Sequence, residues 1–211
     1  MKNSFGKYTR ERVSDIPFDY NDPVYKAYKE KVPQFIGQAV YIYSFEKNRM
    51  LFANGWQELL GYRDEEITLL KIVSITSKRH FNFSNELNDK SLLFLKKIKK
   101  ELEAYSFTIE VEKIHKNGEV IPLFSRVGIY KSNEGNILEV IGISERIHSR
   151  KLGNIMQYAA FGPGTSGFEE TLNEQLFHEL RISRKEKEAL KLASEGFAFK
   201  EIAAKLKVSQ S

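Results

Sequence analysis

The sequence predicts an α+β fold, with a five-stranded antiparallel sheet carrying helices on one face and a small all-α piece behind it. Three observations carry that expectation. Apolar and aromatic residues recur at every second position in two blocks, residues 39–53 and 105–147. Between the blocks lies a long stretch of helical period with lysines along its outer side. Beyond them, residues 182–211 turn to short helical patterns interrupted by glycine.

Composition narrows the classes. A chain of 211 residues has room for one medium domain and a small one. It contains no cysteine, which excludes disulfides, thiolate metal sites, a cysteine nucleophile and cysteinyl–flavin photochemistry. The net charge of +5 suits a polyanionic partner. Much of the excess sits in Lys90–Lys100 and in the C-terminal piece, where solvated helix faces are also lysine-rich. The first residues lack the apolar core of a signal peptide and no run approaches membrane-spanning length, so the expectation is a cytoplasmic protein without a membrane partner.

The elements follow in order. Residues 1–20 are polar and aperiodic and read as a weakly ordered arm. Residues 21–36 hold a helix with Asp22 as cap and Pro23 in the first turn, and Val24, Tyr28, Val32 and Phe35 at helical spacing. Pro33 limits its secure part to Val24–Lys31. Its apolar stripe needs cover from a partner subunit or from the outer face of the sheet. Val40–Phe45 and Met50–Ala53 are strands around a turn at Glu46–Arg49, and Asn54–Gly61 is a short helix closed by glycine. Residues 68–85 read as irregular, and Glu86–Ala104 as the longest helix, with Leu87, Leu95 (or Phe94), Ile98 and Leu102 on one side. Three strands complete residues 37–148. Lys116–Glu119 carries the Asn-Gly pair of a type I′ hairpin, and Ser132–Asn136 is a second glycine-bearing turn. Residues 149–181 read as a helical linker, with Arg150–Ala160 helical and a glycine-rich hinge at Phe161–Gly167. The hinge is not a phosphate loop, because Phe168 stands where that loop needs lysine. Phe168, Leu172, Leu176 and Leu180 then mark an amphipathic helix.

In residues 182–211, Ser183 and Glu186 form a capping-box pattern, and Ala189, Leu190 and Ala193 follow at helical spacing. Gly196 ends that helix. A second helix carries Ile202, Ala203 and Leu206, and Val208-Ser209 is placed to open a third.

Two resemblances arise from these residues. Leu51-Phe52-Ala53-Asn54, Leu59-Leu60-Gly61-Tyr62, Glu65-Glu66-Ile67, Lys116-Asn117-Gly118-Glu119, Glu134-Gly135 and Ile141-Gly142-Ile143-Ser144 together resemble a PAS sensor domain over roughly residues 34–148. The last strand ends in Arg146-Ile147-His148, where that family commonly has Asp-Ile-Thr. Ser183, Glu186, Leu190, Glu195-Gly196, Lys200-Glu201-Ile202-Ala203, Leu206 and Val208-Ser209 resemble a LuxR/GerE-type helix-turn-helix lacking its recognition helix. Departures there are Arg184 in place of proline and the aromatic Phe197–Phe199. Together the resemblances imply a bacterial transcription regulator, dimeric through Val24–Lys31, with a PAS input and a DNA-binding output. They place Lys200, Ser209, Gln210 and Ser211 at the DNA. The alternatives are a ligand- or haem-binding sensor that acts through protein contacts, or a module that only dimerises.

The PAS resemblance implies a small core that some members use as a ligand cavity. Tyr41, Tyr43, Phe52, Trp56, Phe107 and Phe124 are the candidates to line it, against the alternative that aromatic strand residues simply fill the core. No cofactor is identified by the sequence. His80, ahead of the expected long helix, reads as a surface residue rather than a haem ligand, and His115 as exposed. No histidine pair has metal spacing, no nucleophile–base constellation is present, and Glu110 and Glu112 read as solvated, so no enzymatic activity is expected.

Overall fold

The computed structural model describes residues 13–148, 152, 156–179 and 184–206. They form two compact units, divided between Glu169 and Glu170. The first unit has the expected mixed α+β, PAS-type architecture. It comprises α1 (Pro23–Lys31), β1 (Gln38–Ser44), β2 (Arg49–Asn54), α2 (Trp56–Leu60), α3 (Leu69–Ser74), α4 (Lys78–Lys97), β3 (Ser106–Ile114), β4 (Val120–Asn133), β5 (Asn136–Arg146) and β6 (Tyr158–Phe161). All strand pairings are antiparallel, in the order β2-β1-β5-β4-β3-β6.

The sixth strand is a correction. Arg150–Ala160 is expected to be helical, yet its end, Tyr158–Ala160, belongs to a strand, Tyr158–Phe161, that pairs with Ser106–Ile109 of β3, while residues 150, 151 and 153–155 lie outside the described residues. The reason lies in the partner: β3 would otherwise present an unpaired edge. Its other half is covered by residues 75–77, through a Thr76–Lys113 bridge and bonds from Ser77 N–H to Glu112 O (2.9 Å) and Ile114 N–H to Ile75 O (2.7 Å).

The hairpins also differ from expectation. At Lys116–Glu119 only Gly118 takes positive φ, so the loop is a turn followed by a left-handed glycine rather than type I′. The two positive φ values of a type I′ pair occur instead at Glu134 and Gly135, between the paired Asn133 and Asn136.

Helix α1 starts as the sequence indicates, with Asp22 accepting from Val24 N–H at 2.8 Å. Of the two covers open to it, the observed one is the outer face of the sheet. Tyr25 lies against Phe52, at 5.5 Å between ring centroids, and Tyr28 meets Tyr130 edge-on. The Tyr28 hydroxyl donates to Glu139, while Lys131 Nζ reaches that hydroxyl at 2.6 Å. Burial, then the bond to Glu139, pushes the Tyr28 phenol up to about 12. The arm is not loose over residues 13–20. Ser14 N–H donates to Tyr43 Oη at 3.0 Å, Met50 N–H to Ile16 O at 3.0 Å, and Phe18 stacks on Tyr25.

Helices α2–α4 cover the inner face. Residues 68–85, read as irregular, contain α3 and the first eight residues of α4, which starts that far ahead of the expected Glu86. The buried stripe of α4 explains the misreading. His80, Ser84, Leu87, Ser91 and Leu95 follow helical spacing, but three of the five are polar, so an apolar count misses the period.

The second unit takes over within α5 (Thr165–Glu179) and contains α6 (Arg184–Ser194) and α7 (Phe199–Leu206). Gly196, at φ +89°, ends α6 as expected. Phe197 N–H bonds Leu192 O (3.1 Å) and Gly196 N–H bonds Ala193 O (3.0 Å), the paired bonds of a Schellman cap. Ala198 opens α7, its N–H bonded to Glu201 Oε2 at 2.8 Å. Helices α6 and α7 contact each other, and Ile202 is buried, whereas Leu190 is 59 % exposed. No helix among the described residues is long and apolar enough to cross a membrane.

Candidate functional site

Alternation along the strands decides which side chains meet α4. Phe107, Val127, Gly142 and Tyr41 are successive partners across β3, β4, β5 and β1, and all four lie on the inner face. Between this row and α4 is a cavity of about 140 Å³. Leu87, Ser91 and Leu95 of α4 line its helix side, and the lining surface is mainly apolar.

Gly142 makes the space possible. A Cβ at this position would lie 2.1 Å from Tyr41 Cε1 and 2.7 Å from its hydroxyl. The tyrosine ring therefore lies flat over β5 instead of standing up into the cavity. Burial alone pushes the Tyr41 phenol far above its ordinary range.

Of the six aromatic candidates, Tyr41 and Phe107 line the cavity. The other four do not. Tyr43 shares the inner face, but its hydroxyl is engaged at the sheet's end by Asn48 Oδ1 (2.5 Å) and Ser14 N–H. Phe52 pairs with Ile42 on the outer face, under Tyr25. Phe124 pairs with Glu145 and Glu110, one position out of register with the inward residues. Trp56 is buried beyond the sheet's end, and its indole N–H donates to Val40 O at 3.1 Å. A register is invisible in a hydrophobic count, and a one-residue offset moves a side chain to the other face.

Sequence reasoning missed the polar residues here. Ser91 is buried, and its hydroxyl has no hydrogen-bond partner among the described residues. Ser125 and Ser144 bond each other across β4 and β5 at 2.8 Å. Lys113, also in the lining, is buried on β3, and Nζ donates to Ile72 O and Thr76 Oγ1, both at 2.7 Å. It thus caps the C-terminal end of α3. Burial pushes its ammonium down to about 7, with no charged partner contributing. The signal for these residues was an alternating strand whose inward position is a lysine, and a helix whose inward stripe carries serines.

The histidines also depart from expectation. His80 is fully buried within α4, and Nδ1 accepts Glu112 N–H at 3.0 Å, so it ties the helix to β3. It does not line the cavity. His115 is half-buried, its ring close against Gly61. Glu112, read as solvated, pairs with Arg79 and accepts from Ser77 Oγ at 3.1 Å. Among the described residues no group of three or more His, Asp or Glu side chains is gathered for a metal ion.

One chain of contacts leaves the cavity. Phe168, in the first turn of α5, packs on Phe94 of α4 at 4.5 Å and meets Phe107 edge-on at 5.9 Å. The glycine-rich stretch before it is held down, since Tyr105 Oη donates to Pro163 O (2.8 Å) and Thr165 Oγ1 to Gly162 O (3.0 Å). In the second unit Lys200 is exposed in the first turn of α7, next to Phe199, which is 87 % exposed. Ser209, Gln210 and Ser211 lie outside the described residues.

No family model matches the chain, and no curated protein matches it. Solved structures do resemble it. The N-terminal domain of a diguanylate cyclase with a PAS/PAC sensor from Marinobacter aquaeolei is 10 % identical, with 52 % of this chain and 94 % of that one covered and a TM-score of 0.42. A PAS domain from Colwellia psychrerythraea is 14 % identical, covering 59 % and 98 %, with a TM-score of 0.44. A phage VqmA–DPO complex is 17 % identical, covering 88 % and 77 %, with a TM-score of 0.37. These likenesses are weak, and the fold rests on the strand order and register described above.

Proposed function

We propose that this chain is a sensory transcription regulator: a small molecule held beneath α4 biases helix α5, and α5 carries the bias into a LuxR-type, DNA-binding helix pair. The observation that carries this reading is Phe168. It touches both the helix that roofs the cavity and an aromatic ring that lines it, and it sits at the start of the helix leading to the output. An occupant that shifts α4 or Phe107 thereby changes what α5 packs against, which supplies the differential contact a population shift requires.

The DNA-binding part is supported by the Schellman-capped turn between α6 and α7 and by Lys200, exposed in the first turn of α7. Lysine there offers charge to a phosphate. In a regulator of this kind a second copy brings two such units to one duplex. Dimerisation was expected through Val24–Lys31. The residues just beyond that helix supply exposed apolar area for it, Phe35 at 64 % and Ile36 at 96 %.

The test is a salt titration of duplex DNA binding. The chain is expected to bind weakly at low ionic strength, and Lys200→Gln to reduce the slope of log affinity against log salt by about 1. A slope unaltered by this substitution contradicts α7 as the DNA-facing element.

A further inference from the structure

The cavity's chemistry specifies its occupant more narrowly than its existence does. We infer that it takes an uncharged, ring-sized molecule bearing a hydroxyl or carbonyl oxygen, which pairs with the Ser91 hydroxyl. This inference rests on the reading of the cavity as a ligand site.

Size comes first. A cavity of about 140 Å³ is near the volume at which an apolar protein cavity admits a single benzene-sized guest. An occupant of roughly six to eight heavy atoms fits, and a flavin or a haem does not. The apolar lining favours a compact hydrocarbon frame.

Polarity comes second. Ser91 is 8 % exposed, lines the cavity, and its hydroxyl makes no hydrogen bond among the described residues. A buried hydroxyl left in this state is costly, and most such groups find a partner. Residue 91 belongs to the helix face that points at the sheet, between Leu87 and Leu95. A guest oxygen is the partner the site lacks. The Ser125–Ser144 pair opposite adds capacity, since two hydroxyls sharing one bond keep one proton to donate.

Charge comes third. Among the described residues two ionisable cations border the cavity, and neither is aimed into it. Lys113 Nζ is directed at Ile72 O and Thr76 Oγ1, and the Arg126 guanidinium lies 4.8 Å over the Phe161 ring. An anionic guest would lose its hydration without gaining a counter-ion. A neutral guest loses nothing comparable.

The experiment is a calorimetric titration of the chain with benzene, phenol and benzoate, repeated on Ser91→Ala. Phenol is expected to bind on the order of tenfold more tightly than benzene, the worth of one buried hydrogen bond. Benzoate is expected to bind far more weakly than either. In Ser91→Ala the preference for phenol over benzene falls to near unity while benzene binding persists. Equal affinity for phenol and benzene in the unmodified chain, or benzoate binding as tightly as phenol, overturns the inference and leaves the cavity a ligand site. Failure of benzene and phenol alike overturns both. The ranking of probes on the unmodified chain decides the matter even if the variant fails to fold.

Discussion

Trp56→Ala is expected to destabilise the first unit by about 3–5 kcal/mol, read from denaturant unfolding. The indole is 1 % exposed and is among the largest fully buried side chains, packed obliquely against Tyr41 at 6.4 Å. Its removal deletes the apolar contacts and leaves a void at the end of the sheet next to α2. It also strips Val40 O of the indole N–H at 3.1 Å. A domain of this size has a total stability of about 5–15 kcal/mol, so this one residue accounts for a large share. Trp56→Phe separates the two contributions. It keeps most of the ring and loses the donor, and is expected to cost about 1–3 kcal/mol. Equal losses for the two variants would mean that the hydrogen bond, not the packing, holds this corner.

The second large effect is a dependence on pH. The Lys113 ammonium sits at about 7 in the folded chain, against an ordinary value of 10.5. Between these values the unfolded chain holds a proton that the folded chain does not. Unfolding stability therefore rises with pH across this window, and the dependence flattens below about 7, where both states are protonated. The total rise is of the order of a few kcal/mol. Other lysines and tyrosines titrate near the top of the window, so the measurement is the difference between the unmodified chain and Lys113→Met. The variant is expected to lose the rise between pH 7 and 10. Parallel profiles for the two proteins would show that Lys113 is charged and solvated in the folded state.

What was legible in the sequence follows from what each residue type announces. Strand alternation in Tyr105–Val111, the Asp22-Pro23 start of α1 and the Gly196 stop are local chemistry, and each is found in place. The start of α4 was hidden because its inward stripe is written in His80, Ser84 and Ser91 rather than in leucines. Ser84 and Ser91 also border the candidate site, so the helix pattern is hidden where the site is. β6 was hidden because four residues of strand are specified by the edge of β3 and not by their own pattern. The inward or outward sense of Phe52 and Phe124 depends on register with Ile42 and Glu145, which is a non-local fact. Tyr41 could be nominated as an aromatic strand residue, but its flat pose depends on Gly142, 101 positions later and directly opposite it.

The most direct test of the account is amide hydrogen exchange over Thr165–Glu179, with and without phenol. Occupation of the cavity is expected to alter protection in the first turns of α5 in the unmodified chain, and not in Phe168→Ala, where the bridge from Phe94 and Phe107 is cut. Phenol binding that leaves α5 exchange unchanged, or changes it equally in Phe168→Ala, would contradict the claim that the cavity speaks to the output through this residue.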